Sequence, residues 1–191
     1  MLSILLKNDE FAITNLKPYA NQIPFGQKLY AEYNATVAQG YINLKEEDSA
    51  RVYISRAALA EKKKVTKARY RYIEAQLLER ANLIDSAQRA YQSIVNWNRK
   101  APRIFWMQAK LQSIRLRAVI DSVSPLPSLD RLSKRFENQP YLHLIHQQEA
   151  RYLLSLDQDS LALEYYNKSL KSVYIDPATQ RANYMELADY N

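Results

Sequence analysis

Apolar residues recur three and four positions apart through most of this chain, in runs separated by short polar breaks. The row Leu29, Tyr33, Val37, Tyr41, Leu44 steps at helical spacing, and after Glu46-Glu47-Asp48 a second row runs through Ala50, Ile54 and Ala57. Such spacing buries one stripe of a helix and leaves the other side to water. Residues 70–97 predict two more amphipathic helices joined by a tight turn at Ala81-Asn82. Ala75 and Ala87 stand where those helices must touch, and Tyr91 lies one turn beyond Ala87. Small side chains at facing positions let two helix backbones approach closely.

That pattern is repeated. Ala38, Tyr41, Lys45, Ala50 and Ile54 lie 37 residues before Ala75, Leu78, Asn82, Ala87 and Tyr91. Ala150, Leu153, Asp157, Ala162 and Tyr166 lie 75 residues after them. Three copies in one register constitute an internal repeat, the signature of stacked helical hairpins. The expected organisation is a leading helix and linker over 1–25, repeat one over 29–64, repeat two over 68–99, a degenerate repeat three over 102–138, repeat four over 140–174 and a terminal helix over 178–191.

In repeat three Pro102 stands at a helix start, where its missing N–H costs least, and Ala109 centres an amphipathic segment. With Leu132 and Phe136 as counterparts of Ala87 and Tyr91, the second helix is delayed by eleven residues, expected as a loop over 121–128 with Ser128 as the N-cap. In the leading segment Phe11, Ile13 and Leu16 predict a short helix ending near Pro18. Lys62, Lys63, Lys64 and Lys67 are expected late in the second helix of repeat one, against the negative end of its dipole.

Composition narrows the fold. Two glycines among 191 residues leave little material for hairpin turns or phosphate loops, so the chain should be all helix. There is no cysteine, which excludes disulfides and thiolate metal sites. The opening MLSILLKNDEF is too short and too soon acidic for a signal peptide, and no run of 18 apolar residues exists. A net charge of +7 leaves open nucleic acid, an acidic membrane surface, an acidic protein partner or simply solvated basic faces, the last being the ordinary reading.

A hairpin of this length, with small residues at its eighth and twentieth positions and an aromatic at its twenty-fourth, resembles the tetratricopeptide repeat. It departs from that family where Tyr70 and Tyr72 straddle the usual Trp site and alanine replaces the usual glycine. The resemblance implies a right-handed superhelical solenoid of about four repeats plus a terminal helix. The words Tyr70-Arg-Tyr-Ile-Glu-Ala-Gln-Leu78, Asp85-Ser-Ala87, Leu129-x-x-Leu132, Ala162-x-x-Tyr165-Tyr166-x-x-Ser169-Leu170 and Tyr184-x-x-Leu187-Ala188-Asp189 are similar to the tetratricopeptide lipoproteins of type IX secretion and gliding motility in Bacteroidota. That likeness implies a segment of a larger periplasmic, outer-membrane-associated lipoprotein scaffold, with membrane association only through regions outside this chain. No lipobox cysteine is present.

The register also implies which residues face a groove. These are Gln39 and Asn43 in repeat one; Arg69, Tyr72, Gln76 and Arg80 in repeat two; Arg103, Trp106 and Lys110 in repeat three; and Gln147 and Arg151 in repeat four. A basic wall with two aromatics suits an acidic protein or peptide. The family's clamp for chaperone tails is absent, because Tyr72, Ile73 and Gln76 occupy its positions. The alternative is nucleic acid held by Arg99, Lys100, Arg103, Lys110, Arg115 and Arg117 beside Trp97 and Trp106. No catalytic signature occurs, so neither enzymatic activity nor a cofactor is expected. His143, His146 and Glu149 share helical spacing, but spacing supplies neither a closed coordination geometry nor a second shell, so no metal is expected.

Overall fold

The computed structural model describes residues 8–189, and all regular structure among them is helical. Residues 1–7, which begin the leading segment, and 190–191, which end the terminal helix, lie outside the described residues. Helices α1 (Asp9–Leu16), α2 (Lys28–Asn43), α3 (Glu47–Ala60), α4 (Lys64–Arg80) and α5 (Ile84–Val95) precede the long α6 (Arg103–Asp121). Then come α7 (Leu126–Ser133), α8 (Leu142–Leu154), α9 (Asp159–Leu170) and α10 (Pro177–Ala188). The chain forms two compact units, residues 1–113 and 114–191, whose boundary falls within α6.

Neighbouring helices pack in pairs: α2 with α3, α4 with α5, α8 with α9. The alanines named above explain why. Ala38, Ala50, Ala75, Ala87, Ala150 and Ala162 are all fully buried, and Ile54, Tyr91 and Tyr166 fill equivalent places at 2%, 1% and 1% exposure. The turns repeat as closely as the cores. Lys45, Asn82 and Asp157 take positive φ of 61°, 57° and 55°. The next N–H then reaches back five residues, from Glu46 to Tyr41 at 2.9 Å, Leu83 to Leu78 at 2.9 Å and Gln158 to Leu153 at 3.0 Å. A single left-handed residue thus ends the first helix and satisfies a carbonyl that has no helical partner.

The first unit gathers Ile13, Tyr33, Val37, Tyr41, Ile54 and Leu77 into its core. Gly40 permits α1 to dock, since a Cβ there would come within 3.0 Å of the Ile13 side chain. Phe11 of the same helix is 57% exposed.

Other expectations are corrected. The same left-handed closure ends α6 at Ser122, with φ of 52° and Val123 N–H bonding Ala118 at 3.0 Å. It follows Ala109 by 13 positions, whereas Asn82 follows Ala75 by 7. Much of the insertion therefore lengthens α6 instead of forming a loop. Helix α7 starts at Leu126, so Ser128 lies inside it, and Ser124 Oγ accepts the Leu126 N–H at 3.3 Å. Phe136 is 90% exposed because α7 stops before it, where Asn138 Nδ2 donates to the Leu132 carbonyl at 2.8 Å. The lysine run does not sit late in a helix: α3 ends at Ala60 and Lys64 opens α4. Only Lys67 reaches back, its Nζ lying 3.5 Å from the Leu59 carbonyl.

Tyr91→Ala and Tyr166→Ala should each cost roughly 3 to 5 kcal/mol in denaturant melts, the range for deleting a large buried aromatic. Wild-type stability in either variant would show that the pairs do not depend on these rings. Lys45→Gly should stabilise the chain by about 1 kcal/mol, because glycine lifts the steric cost of the left-handed turn. A loss of stability in the same melts would count against strain at that turn.

Candidate functional site

The groove residues expected from the register fall into both units and are treated unit by unit. On α4, Arg69, Tyr72, Gln76 and Arg80 follow one another at three- and four-residue steps, which places them in one row along the helix. Arg69, Gln76 and Arg80 are exposed and Tyr72 is half-buried. Tyr72 lies edge-on to Tyr91 with ring centroids 5.3 Å apart and tilted to Phe105 at 6.4 Å, so packing holds its ring in place. Arg80 is 3.4 Å from Glu47, a solvent-exposed pair of small energetic value. Among the described residues Arg69 has no ion-pair partner and lies on the surface.

The row is less continuous on α6. Trp106 is 8% exposed and its indole Nε1 donates to the Val95 carbonyl at 3.1 Å, so the expectation that it faces a groove is corrected: it anchors α6 to the end of α5. Arg103 stacks above that indole with its guanidinium carbon 4.2 Å from the ring centre, and Lys110 is half-buried. The burial of Trp106 also removes one of the two tryptophans that the nucleic-acid reading needs for stacking bases. On α2, Gln39 Nε2 donates to Asn43 Oδ1 at 2.9 Å, and Asn43 Nδ2 donates to the buried Asp9 Oδ1 at 3.0 Å. These two residues serve mainly to tie α1 to α2.

In the second unit Gln147 and Arg151 stand 75 positions after Tyr72 and Gln76. Gln147 is covered by α10, and Arg151, with a side chain 39% exposed, is engaged by it. Gln147 is buried and its Nε2 donates to Asn183 Oδ1 at 2.8 Å. Arg151 grips Glu186 through Nε at 3.1 Å and 3.0 Å and through a terminal nitrogen, and the Tyr166 hydroxyl donates to the same carboxylate. Burial works against the charge on Glu186, but the bonds from Arg151 and Tyr166 outweigh it and hold its carboxyl below the usual glutamate value. The Glu186 bond in turn raises the Arg151 guanidinium against the effect of burial.

The histidines divide between separate contacts. His143 is buried, with Nε2 3.2 Å from Asp176 Oδ2 and Nδ1 without a partner. Asp176 caps α10 by accepting the Ala178 and Thr179 N–H groups at 3.0 Å and 2.9 Å. His146 Nδ1 instead meets Glu149 Oε2 at 2.7 Å. Burial pushes the His143 imidazole below its ordinary value near 6.5, and Asp176 only partly offsets that. Burial would raise Asp176, but its Thr179 bonds and His143 hold it below the usual aspartate value.

Sequence reasoning missed a buried pair that repeats across both units. Arg71 Nη1 bonds Glu74 at 2.7 Å, and 75 residues on, His146 bonds Glu149 at the same distance. Both carboxylates are buried, at 7% and 3% exposure. The offset alone could have revealed it, since a base followed three residues later by Glu occurs in both copies.

No family model matches the chain, and no curated protein matches it.

The depressed values of His143, Asp176 and Glu186 give one sign. A group whose folded value is lowered contributes stability above its unfolded value and loses it as pH falls. Protection of α10 amides in hydrogen exchange should therefore weaken as pH falls below about 6.5, with a further loss below about 4. His143→Gln should abolish the upper step. An α10 equally protected at pH 7 and pH 5 would contradict this.

Proposed function

We propose that the chain is a helical-repeat module that binds another protein, and that the α4 row of Arg69, Tyr72, Gln76 and Arg80 receives an acidic segment of that partner. The observation that carries this reading is the row itself: exposed Arg69 with no ion-pair partner among the described residues, exposed Gln76 and Arg80, and a tyrosine held by packing between them. Arginine and tyrosine contribute disproportionately at interfaces, combining apolar area with directed hydrogen bonds. Arg103 and Lys110 add positive charge on α6. Charge of this kind governs approach and register more than final affinity.

The reading includes tetratricopeptide character for the hairpins and their right-handed superhelical stacking in about four repeats plus a terminal helix. Its support is local: the three alanine pairs and the turns at Lys45, Asn82 and Asp157. A place in a periplasmic secretion or gliding scaffold belongs to the same proposal and rests on the word-level resemblance alone. Among the described residues no helix is long and apolar enough to cross a membrane.

The test begins with a partner captured by cross-linking in the native host. Arg69→Glu combined with Gln76→Glu alters two exposed side chains and should leave the fold intact. It should slow association with that partner about tenfold at low salt and flatten the salt dependence. Unchanged association, together with loss of capture on charge reversal along α5, would move the site off this row. Tight, steeply salt-dependent binding to a generic oligonucleotide that the same double variant abolishes would favour nucleic acid instead.

A further inference from the structure

Helix α10 is seated on the second unit largely through polar side chains. Its buried residues are Thr179 and Asn183, and Glu186 also turns inward to Arg151. The outward face carries Tyr184 at 57% exposure and Met185 at 62%, with Pro177, Arg181 and Ala188 beside them. Together with Gln180 these residues form a shallow, open surface strip whose exposed area is mostly apolar. A surface helix ordinarily buries its apolar stripe and wets its polar one. Here Thr179, Asn183 and Glu186, with the half-buried Ala182 and Leu187, hold α10 in place, while Tyr184 and Met185 are left uncovered.

The face is charged in a way that says what covers it. Arg181, Met185 and Asp189 follow at four-residue steps, with Tyr184 and Ala188 alongside. Arg181 and Asp189 are both exposed, and neither has an ion-pair partner among the described residues. The order is therefore cation, apolar centre, anion, which is self-complementary when reversed. Place a second α10 antiparallel about a two-fold axis between Tyr184 and Met185. Arg181 then lies within one residue, about 1.5 Å along the axis, of Asp189 of the second copy. Two-fold symmetry produces that pairing twice and brings the two Met185 side chains together at the centre. Methionine adapts its shape to such a contact, and tyrosine supplies area with little entropy loss.

We propose that this chain self-associates through α10, as an antiparallel two-fold pair of outward faces sealed by Arg181 to Asp189 contacts at both ends. The contact is independent of the α4 row, whose partner is a different protein. A hydrophobic centre supplies the affinity, and the end charges select the antiparallel register and exclude mismatched partners.

The experiment is sedimentation equilibrium on the 191-residue chain and its variants at low salt. Wild type should dimerise in the micromolar range, at or below about 100 µM. Arg181→Asp sets two acids against each other at both ends, and Asp189→Arg sets two bases against each other. Each single variant should weaken dimerisation roughly tenfold. Mixing the two singles should restore it, because a mixed pair has opposite charges at both ends. Tyr184→Lys with Met185→Lys should leave monomer only, with helix content unchanged by circular dichroism because both positions are exposed. A wild type that stays monomeric at millimolar concentration overturns the proposal. So do single reversals that associate like wild type, a mixture no tighter than either single, or a dimer that survives the double lysine variant.

Discussion

Close approach of paired helices is the constraint on which this structure depends. Ala38 and Ala50, Ala75 and Ala87, and Ala150 and Ala162 are fully shielded on packed helix pairs, and side chains this small let two helix backbones come close. The rest of each hairpin is arranged around that meeting point. A large side chain, Ile54, Tyr91 or Tyr166, fills the space one turn further along. One left-handed residue reverses the chain at a fixed distance before the pair closes. Where the distance changes, as after Ala109, the hairpin changes with it: α6 grows, α7 shortens and Phe136 is left outside.

The same register positions serve opposite ends in the two units. On α4 they remain open and carry arginine, glutamine and a half-packed tyrosine. On α8 the corresponding Gln147 and Arg151 are engaged by Asn183 and Glu186 of α10. An Arg beside an apolar hairpin is thus not in itself a binding residue. Its neighbour decides, and Arg151 is paired with a carboxylate while Arg69 has no ion-pair partner among the described residues. Buried hydrogen-bonded groups of this kind are costly to leave half-satisfied, so the Gln147, Asn183 and Ser169 chain fixes where α10 sits.

Helix positions and the three hairpin pairs were legible because their signals are local and repeated: alanines at a constant offset, acids opening second helices, a turn residue between. The site was legible only as a list of positions. Trp106 carries the same helical spacing as the less buried Arg103 and Lys110, and nothing in the spacing says that Val95 offers its indole a carbonyl. Gln147 read as a groove residue because its later partner, Asn183, is 36 positions away and on another helix. Lys62 to Lys64 were misplaced because a helix boundary shifted by a few residues turns a C-terminal charge cluster into an N-terminal one, reversing its interaction with the helix dipole.

The polar seat of α10 has a thermodynamic consequence. Exposing apolar surface raises heat capacity and exposing polar surface lowers it, so the two kinds of contact leave different traces on heating. The hairpins, sealed by alanine, tyrosine and isoleucine, unfold with the large positive change of an ordinary core. Lifting α10 away exposes Thr179, Asn183, Glu186 and the ends of Gln147 and Arg151 beside Ala182 and Leu187, and these polar groups offset part of the apolar contribution. The enthalpy of that step then varies less with temperature than that of the hairpin, and in a calorimetric scan of the second unit the departure of its last helix shifts the heat-capacity baseline less than hairpin unfolding does.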